Sequence, residues 1–383
     1  MRVLLAPDKF KGCLTGPEVA AAMAAGIHEL DPTITVEQCP VADGGEGFVA
    51  ALVEATGGRF ETRRVTGPLP DMRVDATFGV LGDGRTAVVE MSAASGLALL
   101  PPADRDPMRT TTFGTGQLLL EAAKLGVTDI LLGIGGSATV DGGIGCCQAC
   151  GQPVILDGVG PADPHEPLVG EDLSRVVLIK HGRGSPLDRV KITVACDVTN
   201  PLFGPTGAAR VFGPQKGATP EQVEELDALL TRLAQRTGKL LEANTPGAGA
   251  AGGLGFAMPA FFGATLRAGF DVVADAVHLR SHLAGPPPAD LCLTGEGRLD
   301  ASSFHGKATT GVARLCRELN IPCVAIAGAI GDDLPAAAAD ELFAARSALT
   351  GGGLSSEEAH RGARALIAAA AARAAESFRT GRR

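Results

Sequence analysis

The segment Asp129–Gly143, DILLGIGGSATVDGG, joins an apolar run to residue types that suit an anion and its cation. An apolar run broken by glycines reads as a buried strand entering a tight loop. Glycine lets the backbone approach a ligand closely, so amide N–H groups can face anionic oxygens. Ser137 and Thr139 add hydroxyl donors, and Asp141 adds a carboxylate able to hold a metal ion. A Gly-rich turn in any α/β protein would use the same residues, so this segment alone leaves both readings open.

Four further segments follow the same grammar. RVLLAPDKFKG ends in Asp8, Lys9 and Lys11, and KITVACDVTN ends in Asp197 and Asn200. DLCLTGEGRLD ends in Glu296, Arg298 and Asp300, and PCVAIAGAIGD ends in Gly328 and Asp332. After a shorter predicted strand, VADGGEG brings Asp43 and Glu46 together with three glycines. The string TTTFGTGQ opens a predicted helix with Thr110, Thr111, Thr112 and Thr115 at its amino end, where free N–H groups and the helix dipole favour an anion. In open α/β sheets, ligands bind outside the carboxyl ends of the strands. Five strand ends bearing charge and glycine therefore point to one polar cleft. Phosphoryl transfer needs these parts: amides and cations for phosphates, carboxylates for magnesium, and a carboxylate to take the proton of the attacking hydroxyl.

The elements that must carry these residues are also legible. Thr15 and Glu18 form a capping box at the start of a predicted helix reaching Leu30. Thr219, Pro220 and Gln222 sign the start of another, reaching Leu241. From Phe60 to Val89 the pattern alternates around Gly-Pro and Asp-Gly turns, predicting hairpins. This change of grammar sets an expected boundary near Gly67, and PPPAD at 286–290 sets the return. The expectation is a discontinuous first domain, residues 1–66 and 290–383, with residues 67–289 inserted as a second domain.

Composition narrows the function. The 383 residues are 45% hydrophobic and 20% charged, enough for a sizeable core. The 52 glycines are roughly twice the usual share of about 7%, and no repeat accounts for them. A net charge of −9, with no Trp and no Tyr, is the wrong basis for nucleic-acid binding. The short apolar run at the amino end fits neither a signal peptide nor a membrane span, so a cytoplasmic protein is expected. The nine cysteines lack zinc-ligand spacing, and Cys146, Cys147 and Cys150 read as small buried thiols on a helix.

Gly247, Gly249 and Gly252 match a dinucleotide fingerprint, which motivates a nicotinamide-dependent oxidoreductase as an alternative. The fingerprint requires a strand directly before it, and KLLEANTP reads as a helix end and a turn. No GxxxxGK[ST] loop and no G-x-S-x-G elbow is present.

The ordered strings APDKFKG, ADGGEG, EMSAASGL, TTTFGTGQ, LGIGGSATVDGG, ACDVTNPLFGPTGAARVFGPQKGA, GAGAAGGLG and TGEGRLDASSFHGK closely resemble the bacterial glycerate kinase family, the glycerate 2-kinases. The resemblance runs from residue 3 to about 330. It implies ATP- and Mg2+-dependent phosphorylation of D-glycerate to 2-phosphoglycerate. It also implies an α/β fold of two domains, a Rossmann-like parallel-sheet domain and an inserted mixed α/β domain, with the active site in the cleft between them. On this reading Asp197 is the general base, since it ends a strand and is followed by Asn200. Lys11 and Arg298 meet the glycerate carboxylate or the transferred phosphoryl group. Asp8, Lys9, Ser95, Thr115 and Asn200 line the substrate; Gly135, Gly136, Ser137, Gly252 and Gly253 line the nucleotide; Asp43, Glu46 and Glu296 hold the metal shell. The expected partners are glycerate and ATP, with no nucleic acid and no membrane. The chain departs from the family pattern at Lys9 and Val140, and at Ser302 and Ser303. Such changes leave open a kinase of another small hydroxy acid on the same scaffold.

The cysteine pattern predicts a protein that needs neither zinc nor a disulfide. Elemental analysis of chelator-treated protein is expected to find no stoichiometric zinc; one zinc per chain overturns this.

Overall fold

The fold was obtained as a computed structural model that describes residues 1–42, 47–182, 184–304, 306–350 and 360–381. The chain is of the α/β class and divides into two compact units, Met1–Asp43 with Gly269–Arg383, and Gly44–Ala268.

The first unit carries an all-parallel sheet of β1 (Arg2–Leu5), β2 (Thr35–Gln38), β12 (Leu291–Leu299), β13 (Cys323–Ile330) and β14 (Ala345–Ala348), in the order β14-β13-β12-β1-β2. Counted within the unit this order is 2-1-3-4-5, the flavodoxin-like doubly wound arrangement. The sheet is parallel throughout, in agreement with the expected Rossmann-like parallel-sheet domain. Val3, Leu5, Leu291, Leu293, Val324 and Ile326 pack with the helices Gly16–Leu30 and Ala363–Thr380 in one core. Residues that alternate with them, such as Cys292 and Cys323, meet Cys316 of the helix Ala308–Glu318 on the opposite face. Both faces of a parallel sheet are therefore covered, as such sheets require.

The second unit holds β3 (Arg59–Thr66), β4 (Arg73–Val80), β5 (Thr86–Glu90), β6 (Asp129–Gly133), β10 (Lys191–Ala195) and β11 (Thr265–Arg267) in one mixed sheet, ordered β11-β10-β6-β5-β4-β3. The hairpin β3–β4 and the pair β4–β5 are antiparallel, and the remaining pairs are parallel. A small antiparallel sheet of β7 (Val154–Leu156), β8 (Gly160–Pro161) and β9 (Val176–Ile179) completes it.

The expected boundaries near Gly67 and residue 290 shift. All eight residues of β3 pair with β4, so the segment before Gly67 belongs to the second unit's sheet. At the other end, Phe270 packs on Gly311, and the Cys39 thiol donates to the Val277 carbonyl at 3.8 Å. Residues from Gly269 onward therefore join the first unit. Local signals hold well: both capping boxes form, Thr15 with Glu18 and Thr219 with Gln222. The second helix stops at Thr237 because Gly238 turns left-handed at φ 69°. Cys146 and Cys147 lie buried in the helix Ile144–Ala149, and Cys150 caps it. Among the described residues no helix is long and apolar enough to cross a membrane.

The helices Gly16–Leu30 and Ala363–Thr380 meet at Gly26, where an added Cβ would lie 2.0 Å from the Ala368 carbonyl oxygen. Gly→Ala in a helix interior is ordinarily stabilising by up to about 1 kcal/mol. Here the obstacle is backbone, which no rotamer change can relieve, so overpacking of about 1–3 kcal/mol prevails. Gly26→Ala is expected to lower the melting temperature by several degrees. An unchanged or raised melting temperature would show that the helix pair has room to separate.

Candidate active site

Strand β6 pairs with β10 so that Gly133 lies opposite Ala195, and both strands end there. The loops Ile134–Ser137 and Cys196–Val198 therefore leave the sheet side by side at its carboxyl end. Between them opens a cavity of about 340 Å³, lined by Gly135, Gly136, Ser137, Asp197, Phe212 and Lys216 among others. A pocket at the carboxyl ends of adjacent parallel strands is where an open α/β sheet binds its ligand.

Asp141 fixes the loop that lines this cavity. Its side chain is fully buried. Oδ2 accepts from the Thr112 amide at 2.8 Å, the Thr112 hydroxyl at 2.7 Å and the Gly145 amide at 3.4 Å, while Oδ1 accepts from the Gly143 amide at 3.0 Å. Burial pushes its pKa up, and these donors oppose the rise. With both oxygens engaged, Asp141 is a brace of the loop, and the metal-holding role offered by its sequence position is set aside.

Gly252 and Gly253 brace the same loop from behind. Their φ values of 64° and 101° are left-handed, and the Gly252 carbonyl accepts from the Gly142 amide at 2.9 Å. A Cβ on Gly252 would sit 1.9 Å from the Thr139 carbonyl oxygen. These glycines serve backbone-to-backbone packing; it is Ala250 and Ala251 beside them that reach the cavity. The turn Ala250–Gly253 follows the short helix Leu240–Ala243 and no strand. The dinucleotide fingerprint therefore lacks its required context, and the oxidoreductase alternative loses its motive.

Lys216, a charged residue that matches the family pattern, was given no role by sequence reasoning. It closes a short helical turn, Pro214–Lys216, and is only 2% exposed. Its Nζ donates to the Ser137 hydroxyl at 2.7 Å and to the Thr139 carbonyl at 2.8 Å. Burial among neutral partners lowers its pKa to about 7, against the attraction of Asp141. The signal in the sequence is a lysine between two glycine turns in GPQKG, and nothing in its spacing points to Ser137. A cation and a hydroxyl at a glycine-lined wall make a site for anionic oxygens.

The other expected residues of this unit divide. Asp197 lies two positions past β10 and lines the cavity, where it is exposed. Asn200 donates to the Thr206 carbonyl at 2.8 Å and accepts at its own carbonyl from Gly249, so it shapes the loop. Ser95 and Thr115 are fully buried, and the Thr115 hydroxyl donates to Ser95 Oγ at 2.9 Å. Their mutual hydrogen bond holds the turn after β5 against the helix Phe113–Lys124. Neither has a surface to offer a substrate, which corrects that expectation.

In the first unit, the other charged strand ends collect at the switch point between β1 and β12. The Asp8 amide donates to the Gly295 carbonyl at 2.8 Å, and its buried carboxylate accepts from the Lys9 amide at 2.6 Å. Lys11 is exposed, and Arg298 is exposed with its Nε on Asp300 at 3.1 Å. Glu296 is 6% exposed, with Oε2 at 3.6 Å from Lys307 Nζ. Its Oε1 has no hydrogen-bond partner, nor has the nearby Thr309 hydroxyl. Burial raises its pKa, against the attraction of Lys307. Lys307 is a second residue left without a role by sequence reasoning. Asp43 and Glu46 lie outside the described residues.

The chain is similar to known proteins along most of its length. The profile of the Glycerate kinase family matches residues 3–379. The chain is 44% identical to the glycerate 2-kinase of Escherichia coli (strain K12) over 370 residues, covering 95% of this chain and 94% of that protein. It is 45% identical to a glycerate kinase of Haemophilus influenzae over 338 residues, covering 87% of each. Among solved structures, it superimposes on one described as glycerate kinase 2 from Salmonella typhimurium LT2 with a TM-score of 0.88 and 43% identity, covering 100% of this chain and 99% of that one.

Lys216 has a pH consequence of definite sign. Its native pKa of about 7 lies below the ordinary lysine value of 10.5. Between these values the unfolded chain holds a proton that the native chain lacks, so this group makes stability rise with pH. The penalty is complete below about pH 7 and fades toward pH 10.5. Lys216→Met is expected to be stabilised relative to the parent at pH 6, by an amount that shrinks as pH rises to 9. Paired denaturant titrations at pH 6, 7.5 and 9 test this; a pH-independent difference removes the buried ammonium from the account.

Proposed function

We propose, since this chain belongs to the glycerate kinase family, that it transfers the γ-phosphoryl group of ATP to D-glycerate and yields 2-phosphoglycerate. The observation that carries the proposal is the Lys216–Ser137 pair on a glycine-lined wall at the carboxyl ends of β6 and β10. Gly135, Gly136, Ser137 and Lys216 bind nucleotide phosphates there. An ammonium near neutrality is well suited to this, because an arriving phosphate supplies the counter-charge that the protein withholds.

Asp197 takes the proton of the glycerate 2-hydroxyl as that oxygen attacks phosphorus. Phosphoryl transfer passes through a loose transition state in which positioning and charge neutralisation dominate. An exposed carboxylate at the rim of the cavity is adequate for that task. Lys11 and Arg298 hold the glycerate carboxylate or the transferred group, and Asp8, Lys9 and Asn200 shape the substrate's surroundings. Magnesium usually keeps several waters and binds through one or two carboxylates and phosphate oxygens. The buried, unpartnered Oε1 of Glu296 fits a share in such a shell, and Asp43 and Glu46 are its further candidates by sequence. When bound, the ion would neutralise charge on the phosphate oxygens.

A second reading, a kinase of another small hydroxy acid, now rests on Lys9, Ser302 and Ser303. Val140 is fully buried in the core with Ile144 and Leu230, so that departure from the family pattern alters packing. A coupled assay across D-glycerate and tartronate separates the two readings, and phosphorus NMR of the product identifies the hydroxyl.

Asp197→Asn keeps the shape and removes the proton acceptor. Its kcat is expected to fall by about 10²–10⁴, the usual worth of a positioned base, with the KM for glycerate little changed. A folded variant with kcat within about threefold of the parent would falsify the assignment, being far short of that loss. A lowered melting temperature with kcat intact would mark Asp197 as structural.

A further inference from the structure

Three thiols that are far apart in sequence meet in the first unit. Cys292 on β12 and Cys323 at the start of β13 are direct partners in the parallel register, so their side chains share one face of the sheet. The helix Ala308–Glu318 covers that face and brings Cys316 onto the pair. All three sulfurs lie within 4.8 Å of one another, with exposures of 0%, 0% and 2% for Cys292, Cys316 and Cys323. All are free thiols. Among the described residues no other three Cys, His, Asp or Glu ligand atoms converge in this way, and none joins these as a fourth. Cys146, Cys147 and Cys150, although clustered in sequence, do not form such a ring.

We propose that Cys292, Cys316 and Cys323 form a binding site for a soft, three-coordinate centre that is neutral when bound, trivalent arsenic delivered as arsenous acid. Four arguments select this chemistry. Thiol sulfur is a soft donor and discriminates against magnesium and calcium, which take oxygen. Structural zinc is closed by four ligands, and this ring supplies three with no opening for water. A pyramidal centre bonded to three sulfurs at about 2.3 Å, the usual metal–thiolate length, needs them about 3.5 Å apart, and these three sulfurs all lie within 4.8 Å of one another. Finally, the site is buried, where net charge is expensive. A copper(I) or zinc ion held by three thiolates would leave a net negative charge. Arsenous acid is uncharged and forms a neutral product: As(OH)3 and three thiols give As(SR)3 and three waters. Three As–O and three S–H bonds break, three As–S bonds form, each thiol proton leaves in water, and no electron is transferred.

The thiols are already linked to one another. A hydrogen bond from Cys292 holds the Cys316 thiol below its ordinary value, with Cys323 adding to this and burial opposing it. Entry requires local opening of the helix Ala308–Glu318, so uptake is expected to be slow compared with reaction of an exposed thiol. This site is independent of the glycerate reading and shares no residue with it.

The test uses the reduced full-length protein, without oxygen, incubated with sodium arsenite. Native mass spectrometry is expected to show one adduct per chain, heavier by one arsenic less three hydrogens. Alkylation followed by peptide mapping is expected to find Cys292, Cys316 and Cys323 protected together and the other six thiols available on unfolding. The adduct should vanish in Cys316→Ala and in Cys323→Ala, and persist in Cys147→Ala and in a Cys13→Ala/Cys196→Ala double variant. The peptide map is read on the parent protein and therefore stands even if a core variant fails to fold. Protection of only two of the three thiols, an adduct that survives Cys316→Ala, capture only after unfolding, or no adduct on folded protein would each overturn the proposal. So would stoichiometric zinc bound by the same thiols.

Discussion

The buried carboxyl group of Asp141 is the constraint on which the glycine-lined wall of the cavity depends. An ionised group fully removed from water is tolerable only when its oxygens are satisfied. Its donors come from the starts of two helices: Thr112 precedes Phe113–Lys124, while Gly143 and Gly145 border and begin Ile144–Ala149. Helix amino termini leave N–H groups without internal partners, so one carboxylate satisfies donors at both. The loop from Ile134 to Gly143 is thereby held at both ends. Its Ser137 hydroxyl and Thr139 carbonyl are then in place to receive Lys216, whose charge the same carboxylate favours. Gly252 completes the clamp, since any side chain there would collide with Thr139.

Topology explains how an insertion of this size leaves the first unit intact. Its sheet runs 2-1-3-4-5, and the whole second unit enters between the second and third strands of that order. The insertion leaves after β2, at an edge of the sheet, and the chain returns to place β12 against β1. Only at that junction do consecutive strands of the unit lie on opposite sides of β1. Such a switch point separates the outgoing loops and opens a crevice at the carboxyl ends. Asp8, Lys11, Glu296 and Arg298 occur on the two segments that flank it.

Much of this was legible in the chain because the governing interactions are local. Thr15 with Glu18, Thr219 with Gln222 and the left-handed stop at Gly238 involve residues within a few positions of each other. Apolar runs ending in glycine or charge located β6, β10 and β12, and the Gly-Pro and Asp-Gly turns marked the hairpins. Errors arose where long-range pairing decided. Strand β3 belongs with β4, which no signal before Gly67 reveals, so the boundary was set late by the helix Phe48–Thr56 and the strand β3. Ser95, Thr115 and Asp141 carry groups that could bind ligands, yet burial turns those groups toward each other and the backbone. The partners of Lys216 and the convergence of the three cysteines were invisible for the converse reason: they are remote in sequence and carry no spacing to read.

Each unit therefore retains one buried ionisable group that the protein alone does not fully satisfy. Lys216 is enclosed with a hydroxyl and a carbonyl as its hydrogen-bond partners, and its depressed pKa measures the resulting cost. Glu296 keeps one carboxylate oxygen without a partner and has its pKa raised by burial. Replacing either group with a well-packed apolar side chain would favour the folded state of the ligand-free protein. Local departures from the most stable arrangement are characteristic of functional sites, where the rest of the fold supplies the compensating stability. The signs of the two groups differ as phosphoryl transfer requires. The unsatisfied cation lies on the glycine wall and calls for anionic oxygens; the unsatisfied carboxylate oxygen calls for a cation or a hydroxyl. In each unit, a ligand that supplies the missing partner relieves the cost of that group, so its binding energy is drawn from what the empty protein leaves unpaired.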